Sequence, residues 1–499
     1  MTEKVDTAVD HLEEEQEKDH VHIEKVDEDV RKYMASDAIE IDETTSKRLK
    51  KLIDRRVLPV MVITYFLQAL DKGTISFASI MGIQEDTNLH GQQYSWLTTC
   101  TYLAILVWEY PTNWIIQRVP IGKYLAFNIV AWGTVLACHA ACNNFAGLVV
   151  VRTLLGLFET CCQPIFVILS AMWYKREEQA ATVSYWYLMN GGQQIVGGLL
   201  AYCFTLIQRA ALKNWRILFL VYGAVSVAWG VFVWWYMPDS PMRAKCYSEE
   251  DKFLMVERVR ENQTGIQNRK FKKSHVYDAF LDPQTWCYAF VQFFTALPTS
   301  GLGAFANIII SSFGFTVLQT QLLAMVLGAY LVILLLSSAW LSKRFNQNCF
   351  TMIGYVIPSI VGTVVLMTYH NDGSTKRRAV LLFCYYLTLS FWGCSTLGLS
   401  MLSRNVGGMT KKTVAIAMNF IGMAVGNTVG PQVFRDEDAP GYLTAFATHM
   451  GCYGLLIILI LFLRTWLVVQ NKKKPEHQEL THAFEDLTDR ENKNFRYVY

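Results

Sequence analysis

Charge is scarce through most of this chain. Asp, Glu, Lys and Arg make up 17% of its 499 residues, whereas a soluble domain carries about 25%. What charge there is gathers in the two ends, the middle and short joints, leaving long uncharged runs that do not suit a water-facing fold. Neither sign dominates, since the formal net charge is +3. No basic stripe of the kind that tracks a phosphate backbone is present, which excludes a nucleic-acid partner. The twelve cysteines lack CxxC pairing, so neither a zinc site nor a disulfide framework is expected. Cys138, Cys142, Cys161 and Cys162 read as small packing residues. Met1 to Asp54 has no apolar core, which excludes a cleaved secretory signal. The apolar runs contain no HExxH or nucleophile-elbow spacing, so an enzyme is not expected.

What is present is hydrophobic residue, 52% of the chain. Six apolar segments lie at about 57–81, 93–117, 124–143, 145–173, 181–207 and 215–236. Six more follow at about 285–313, 318–341, 350–370, 379–401, 413–433 and 442–468. Each is near the roughly 20 residues that a helix needs to cross a bilayer. The predicted fold is therefore an all-α polytopic membrane protein with twelve spanning helices, and the lipid bilayer is its first partner. The division expected is an acidic, disordered tail with a basic end (1–56), a six-helix bundle (57–237), a cytoplasmic linker (238–283), a second bundle (284–468) and a polar tail (469–499). Lys and Arg collect in the tails and the middle joint, which places both ends in the cytoplasm.

The segment from Phe145 to Tyr174 carries the sharpest signal. It contains Arg152 and Glu159, seven residues and about two helical turns apart, so they share a face. A charge at membrane depth costs about 2.5–3.5 kcal/mol even on the lenient insertion scale, and it normally faces protein or a water-filled path. A structural ion pair is the plain account; a substrate or proton pathway is the sharper one.

Counting ~1.5 Å per residue places Asp71 and Lys72 ~20 Å from the inner end of the first helix. His139 in the third helix and Arg152 in the fourth reach a similar level. Two cations there suit an anionic substrate, and Asp71 and His139 are able to carry a proton. Glu109 and Glu159 form a second, deeper level, both ~21–22 Å inward from the outer end. The second half is nearly bare of buried charge. It offers Pro298 and Gly301 as a helix-interrupting patch, then Asn307, and later Asn427 beside a run of glycines. Asn190 and Gln193 of the fifth helix are further hydrogen-bonding candidates. Trp96, Tyr185 and Trp186 are aromatic walls or interfacial anchors.

In order along the chain stand Leu70-Asp-Lys-Gly73, Pro111-Thr-Asn113, Gln117-Arg118 with Gly122-Lys123, Arg152-x-x-x-Gly156-x-x-Glu159 with Pro164, Trp215-Arg216, Pro238-Asp-Ser-Pro241, Asn405-Val-Gly-Gly-Met-Thr-Lys-Lys412 and Gly426-Asn-Thr-Val-Gly-Pro-Gln432. From about Lys51 to Val468 the chain resembles the major facilitator superfamily, within it the fungal anion:cation symporters related to allantoate permease. The resemblance implies two six-helix bundles, alternating access and proton-coupled import of a small organic anion across the plasma membrane. It implies a gating role for Arg118 and Lys123, although Gln117 replaces the acidic residue usual there. Asp71-Lys72 is the form associated with the allantoate permease branch.

Lys72 and Arg152 are thus expected to hold the anion, with Asn190, Gln193, Asn307 and Asn427 as polar partners. Asp71, Glu159, His139 or Glu109 would exchange the proton, and Arg118, Lys123, Pro298 and Gly301 would serve gating. No cofactor is expected; the proton gradient is the driving force, and the protein is read as a monomer. An exporter or facilitator of an anionic metabolite and a non-transporting nutrient sensor are the alternatives.

Overall fold

The computed structural model of the protein describes residues 41–116, 118–207, 211–264, 272–345, 347–369, 372–474, 487–492 and 495–499. Most of the tail expected to be disordered, and Gln117, lie outside the described residues. Those described form helices and turns without a strand.

The amphipathic helix α1 (Glu43–Arg56) buries Leu49 and Ile53, one turn apart, and leads directly into α2. The first bundle comprises α2 (Leu58–Ser79), a short α3 (Ile83–Asp86), α4 (Gln93–Ile116), α5 (Ile121–Cys138), α6 (Phe145–Glu159) continued by α7 (Cys162–Trp173), α8 (Arg176–Tyr187) continued by α9 (Met189–Thr205), and α10 (Asn214–Tyr236). The linker supplies α11 (Glu249–Thr264) and α12 (Lys273–Leu281). The second bundle comprises α13 (Pro283–Ser312), α14 (Val317–Phe345), α15 (Asn348–Thr368), α16 (Thr375–Thr388) continued by α17 (Trp392–Asn405), α18 (Met409–Val429) and α19 (Leu443–Lys472).

Among the described residues, nine of these spans are long and apolar enough to cross a membrane by length and composition. The remaining three are α2, α4 and the pair α8–α9, and each falls short because of the polar residues it carries. Helix α2 carries Asp71 and Lys72, and α4 carries Glu109 and the Pro111-Thr-Asn113 turn. Helix α8 begins with a charged turn, and α9 is rich in amides and glycine.

Within the bundles α5 lies along α10 and α13 along α18; between the bundles α9 packs on α14, α2 on α13 and α4 on α18. The patch at Pro298 and Gly301 does not interrupt its helix: α13 runs unbroken for 30 residues. Hydroxyls of Thr299 and Ser300 bond the carbonyls of Thr295 and Leu297 one turn back, and neighbouring helices hold the backbone in place. Gly301 is needed for close approach instead. A Cβ there would meet Phe434 Cε2 at 2.7 Å and the Gly430 carbonyl at 2.8 Å.

Each bundle carries one half of the linker on its floor. On the first, Glu178 at the start of α8 accepts from Arg258 of α11 (2.5 Å) and lies 3.6 Å from Lys50 of α1. On the second, Lys411 at the start of α18 is wholly buried. It contacts Asp278 of α12 (2.9 Å), Asp282 (2.7 Å) and Asp489 of the C-terminal segment (2.8 Å). That segment packs closely on this floor. Val498 and Asn405 exchange two hydrogen bonds of 2.8 and 2.7 Å, and Tyr497 donates to Asp489 at 2.8 Å. Both described chain ends and the linker therefore lie on one side, the linker side.

Candidate substrate site

The Lys72 ammonium and the Glu159 carboxylate meet at 3.6 Å in the middle of the first bundle. The separation exceeds the roughly 2.7–2.9 Å of a tight charge-assisted hydrogen bond. Lys72 keeps 32% of its side chain exposed, whereas Glu159 is fully enclosed. The two levels expected from residue counting therefore merge at this pair, because a lysine stem is long enough to reach one helical turn away from its own level. Gln68 of α2 donates to the Glu159 carbonyl (3.2 Å), which fixes the end of α6 against α2. Tyr102 of α4 lies within electrostatic range of both charged groups.

Asp71, the next residue, points away from Lys72, as adjacent residues on a helix must. It is fully buried. The Trp132 indole of α5 and the Ser226 hydroxyl of α10 face its carboxylate, but neither closes to a hydrogen bond. Arg152 is 3% exposed, lies near Asp71 and Glu159, and holds its guanidinium 5.7 Å from the Phe219 ring centroid. His139 stacks parallel on the same Phe219 ring at 4.7 Å, and its Nδ1 bonds the Val135 carbonyl at 3.1 Å. Asp71, Arg152 and His139 thus form a buried cluster among α2, α5, α6 and α10, while Lys72 alone of the level is partly exposed.

Of the amides, Gln193 reaches the residue next to Lys72: a Cβ on Gly73 would come within 2.9 Å of its Oε1, so a larger residue there would push this side chain aside. Asn190 donates to the Tyr65 hydroxyl (3.0 Å), and Tyr65 packs on Trp186 at 4.8 Å. Trp186 is buried in this cluster, whereas Tyr185 and Trp96 are exposed. Glu109 lies within electrostatic range of Lys72, and its carboxylate accepts from Asn113 one turn on (3.3 Å). Arg118 stacks on Trp114 at 3.8 Å. The Lys123 amide donates to Asp239 (3.1 Å), and its ammonium bonds the Trp234 carbonyl, which joins the α4–α5 joint to the end of α10.

Asn307 and Asn427 belong to the second bundle, and Asn427 Oδ1 is buried without a hydrogen-bond partner. Asn307 takes part in a seal between the bundles at the end remote from the linker, its backbone N–H donating to the Ser76 hydroxyl (3.4 Å). In the same seal Tyr94 donates to the Ala304 carbonyl (2.8 Å), Thr99 to the Thr428 carbonyl (2.9 Å), and Gln432 to Thr99 (2.9 Å). Tyr94 meets Phe305 edge-on at 5.1 Å, and Phe305 stacks on Phe434 at 4.6 Å. Lys72 lies one turn below Ser76 and remains accessible, so the path to it opens on the linker side.

Tyr102, Trp132 and Ser226 were missed by the sequence reading. Their signal was present only in position, since each falls on a helix face opposite an ionisable residue of α2.

Comparison with known proteins follows the same outline. The family model described as Major Facilitator Superfamily matches residues 61–431. Allantoate permease of Saccharomyces cerevisiae is 32% identical over 95% of this chain and 90% of its own length. A thiamine pathway transporter of the same yeast is 35% identical over 92% of this chain and 87% of its own. An uncharacterized transporter of Schizosaccharomyces pombe is 35% identical over 92% and 91%. Among solved structures, a bacterial homolog of the human lysosomal transporter Spinster, inward-facing and unoccupied, superposes with a TM-score of 0.64 at 14% identity, covering 86% of this chain and 99% of that one. A D-xylose–proton symporter gives a TM-score of 0.60 at 11% identity, covering 82% and 96%.

Proposed function

The chain belongs to the major facilitator superfamily of membrane transporters, in the branch similar to allantoate permease, and on that premise we propose that it imports a small carboxylate-bearing metabolite together with protons. The reading rests on one observation, the loose Lys72–Glu159 pair: an accessible cation, held at 3.6 Å by an enclosed carboxylate, directly below a sealed gate. An incoming carboxylate competes with Glu159 for Lys72. Glu159, enclosed and losing its counter-charge, is then favoured to take up a proton. The bound complex has shed the charge imbalance that a lone anion would bring, which permits the bundles to rock past it. Asp71 and Arg152 hold the interior field constant behind the site, and Asn190 and Gln193 supply hydrogen bonds to the substrate. The linker side is the cytoplasm, with both ends there; the membrane is the plasma membrane and the working unit is a monomer.

The test is uptake of labelled small carboxylates into proteoliposomes holding the purified protein, with and without an inward proton gradient. Accumulation of one compound only with the gradient supports the reading. Gradient-independent equilibration removes the proton role from Glu159, and binding without flux replaces transport with sensing.

A further inference from the structure

Helix α12 presents its polar and apolar faces in an order that water alone does not explain. One face is consumed by the protein: Asp278 contacts Lys411 and Arg490, each at 2.9 Å, His275 Nε2 lies 3.5 Å from Glu491, and Ala279 is buried. The other face carries Tyr277, Phe280 and Leu281, which are 69%, 49% and 73% exposed. Three large apolar side chains on a nine-residue helix form a patch that a water-facing linker would avoid.

The patch does not end with α12. Only Asp282 separates it from α13, whose Trp286 and Phe290 are 43% and 45% exposed. The rings form a ladder, Phe280–Trp286 at 6.4 Å, Trp286–Phe290 at 6.1 Å and Phe290–Phe294 at 6.4 Å. The Trp286 indole donates to the Phe280 carbonyl at 2.8 Å, so its polar edge is satisfied and the ladder is locked. Helix α13 has 30 residues, about 45 Å at 1.5 Å per residue. The hydrocarbon core is only ~30 Å thick, so the start of α13 stands in the headgroup zone. Helix α12, attached there, has its apolar face continuous with the lipid-facing side of α13.

We propose that α12 is an interfacial helix, seated in the bilayer leaflet of the linker side with Tyr277, Phe280 and Leu281 directed into the boundary between headgroups and acyl chains. Amphipathic helices of this kind lie in the membrane plane with their apolar face immersed by about 5–10 Å. The exposed Lys273 at its start suits the anionic headgroups of a cytoplasmic leaflet. Through Asp278 and Asp282 the helix also holds Lys411, so the inner end of α18 is moored to the membrane surface rather than to the solvent.

Spin labels test the placement in the full-length protein. Cys138, Cys203 and Cys246, the exposed or reactive background, are replaced by serine, and single cysteines are introduced as Tyr277→Cys, Phe280→Cys, Leu281→Cys and, for reference, Lys273→Cys. All four positions are exposed, so the fold tolerates the labels. In proteoliposomes the labels at 280 and 281 are expected to collide with oxygen several-fold more, and with a water-soluble nickel complex several-fold less, than the label at 273. Equal collision with the nickel complex at all positions would overturn the proposal, because the helix would then be in water. Mutual broadening of labels at 280 that vanishes on dilution with unlabelled protein would overturn it too, by making the occupant a second copy of the chain.

Discussion

Lys72 and Glu159 face each other across 3.6 Å in a bundle that buries the neighbouring Asp71 and Arg152. Their looseness is informative. A buried ion pair kept for stability tends to close to hydrogen-bond distance, since only good geometry offsets the desolvation of both ions. This pair stays open on the lysine side, and a ligand carboxylate is able to replace the glutamate. Lys72→Ala is therefore expected to weaken substrate binding by at least about tenfold, or about 1.4 kcal/mol, in a direct binding assay. Glu159→Gln is expected to keep substrate exchange while abolishing accumulation driven by a proton gradient. Equal loss of both activities in Glu159→Gln would remove the division of labour.

The seal at the remote end is made of neutral hydrogen bonds and stacked rings, with no ion pair among the described residues. Each such bond contributes about 0.5–1.5 kcal/mol. Thr99→Ala removes the donor to Thr428 and the acceptor of Gln432 together. It is expected to raise the population open to the outside by roughly tenfold, read as faster labelling of a Ser76→Cys reporter by a membrane-impermeant maleimide added from that side. Unchanged labelling would mean that the aromatic contacts alone hold the seal.

Lys411 differs from Lys72 in having no accessible surface and three carboxylates around it. Removing the ammonium that contacts the carboxylates of Asp282 and Asp489 leaves both buried without their closest counter-charge, a change that costs about 3–5 kcal/mol. Lys411→Met is expected to lower the unfolding temperature of the detergent-solubilised protein strongly. Asp489→Asn, which leaves two partners in place, should have a much smaller effect. Comparable effects of the two substitutions would argue against Lys411 as the centre of the cluster.

Acid should loosen the same floor. Burial alone would raise the Asp278 carboxyl, but hydrogen bonds from Lys411 and Arg490 outweigh it and hold the group below the usual aspartate value. A depressed carboxyl contributes stability that is present above its unfolded value, about 3.9, and is lost as pH falls through the lower folded value. Thermal stability is expected to be insensitive to this group from neutral pH down to about 5 and to fall below about 4. Asp278→Asn should flatten that acid limb.

How much of this was legible depends on what kind of residue carries it. Arg152, Glu159 and Lys72 announced themselves because charge at membrane depth demands a reason. The twelve apolar segments were likewise visible, and the three least apolar of them turned out to bear Lys72, Glu109 and the amides of α9. Residue counting gave heights but not directions, so it set Lys72 beside Arg152 when the lysine stem in fact bends to Glu159. Tyr102, Trp132 and Ser226 were hidden, because an aromatic or small hydroxyl in a helix reads as ordinary packing. Pro298 suggested a break that neighbouring helices prevent. Lys411 stood only as one residue of the Asn405–Lys412 motif. Its carboxylates come from positions 278, 282 and 489, and no local pattern brings such distant positions together.

Lys72 and Ser76 lie one turn apart on α2, about 6 Å along its axis. On the proposed reading, the residue that meets the substrate and the residue that takes part in the opposite seal are therefore parts of one stiff rod. A tilt of that rod, provoked at the lysine, reaches the latch without delay and without any intervening chain of messengers, much as turning a key moves the bolt it is cut into.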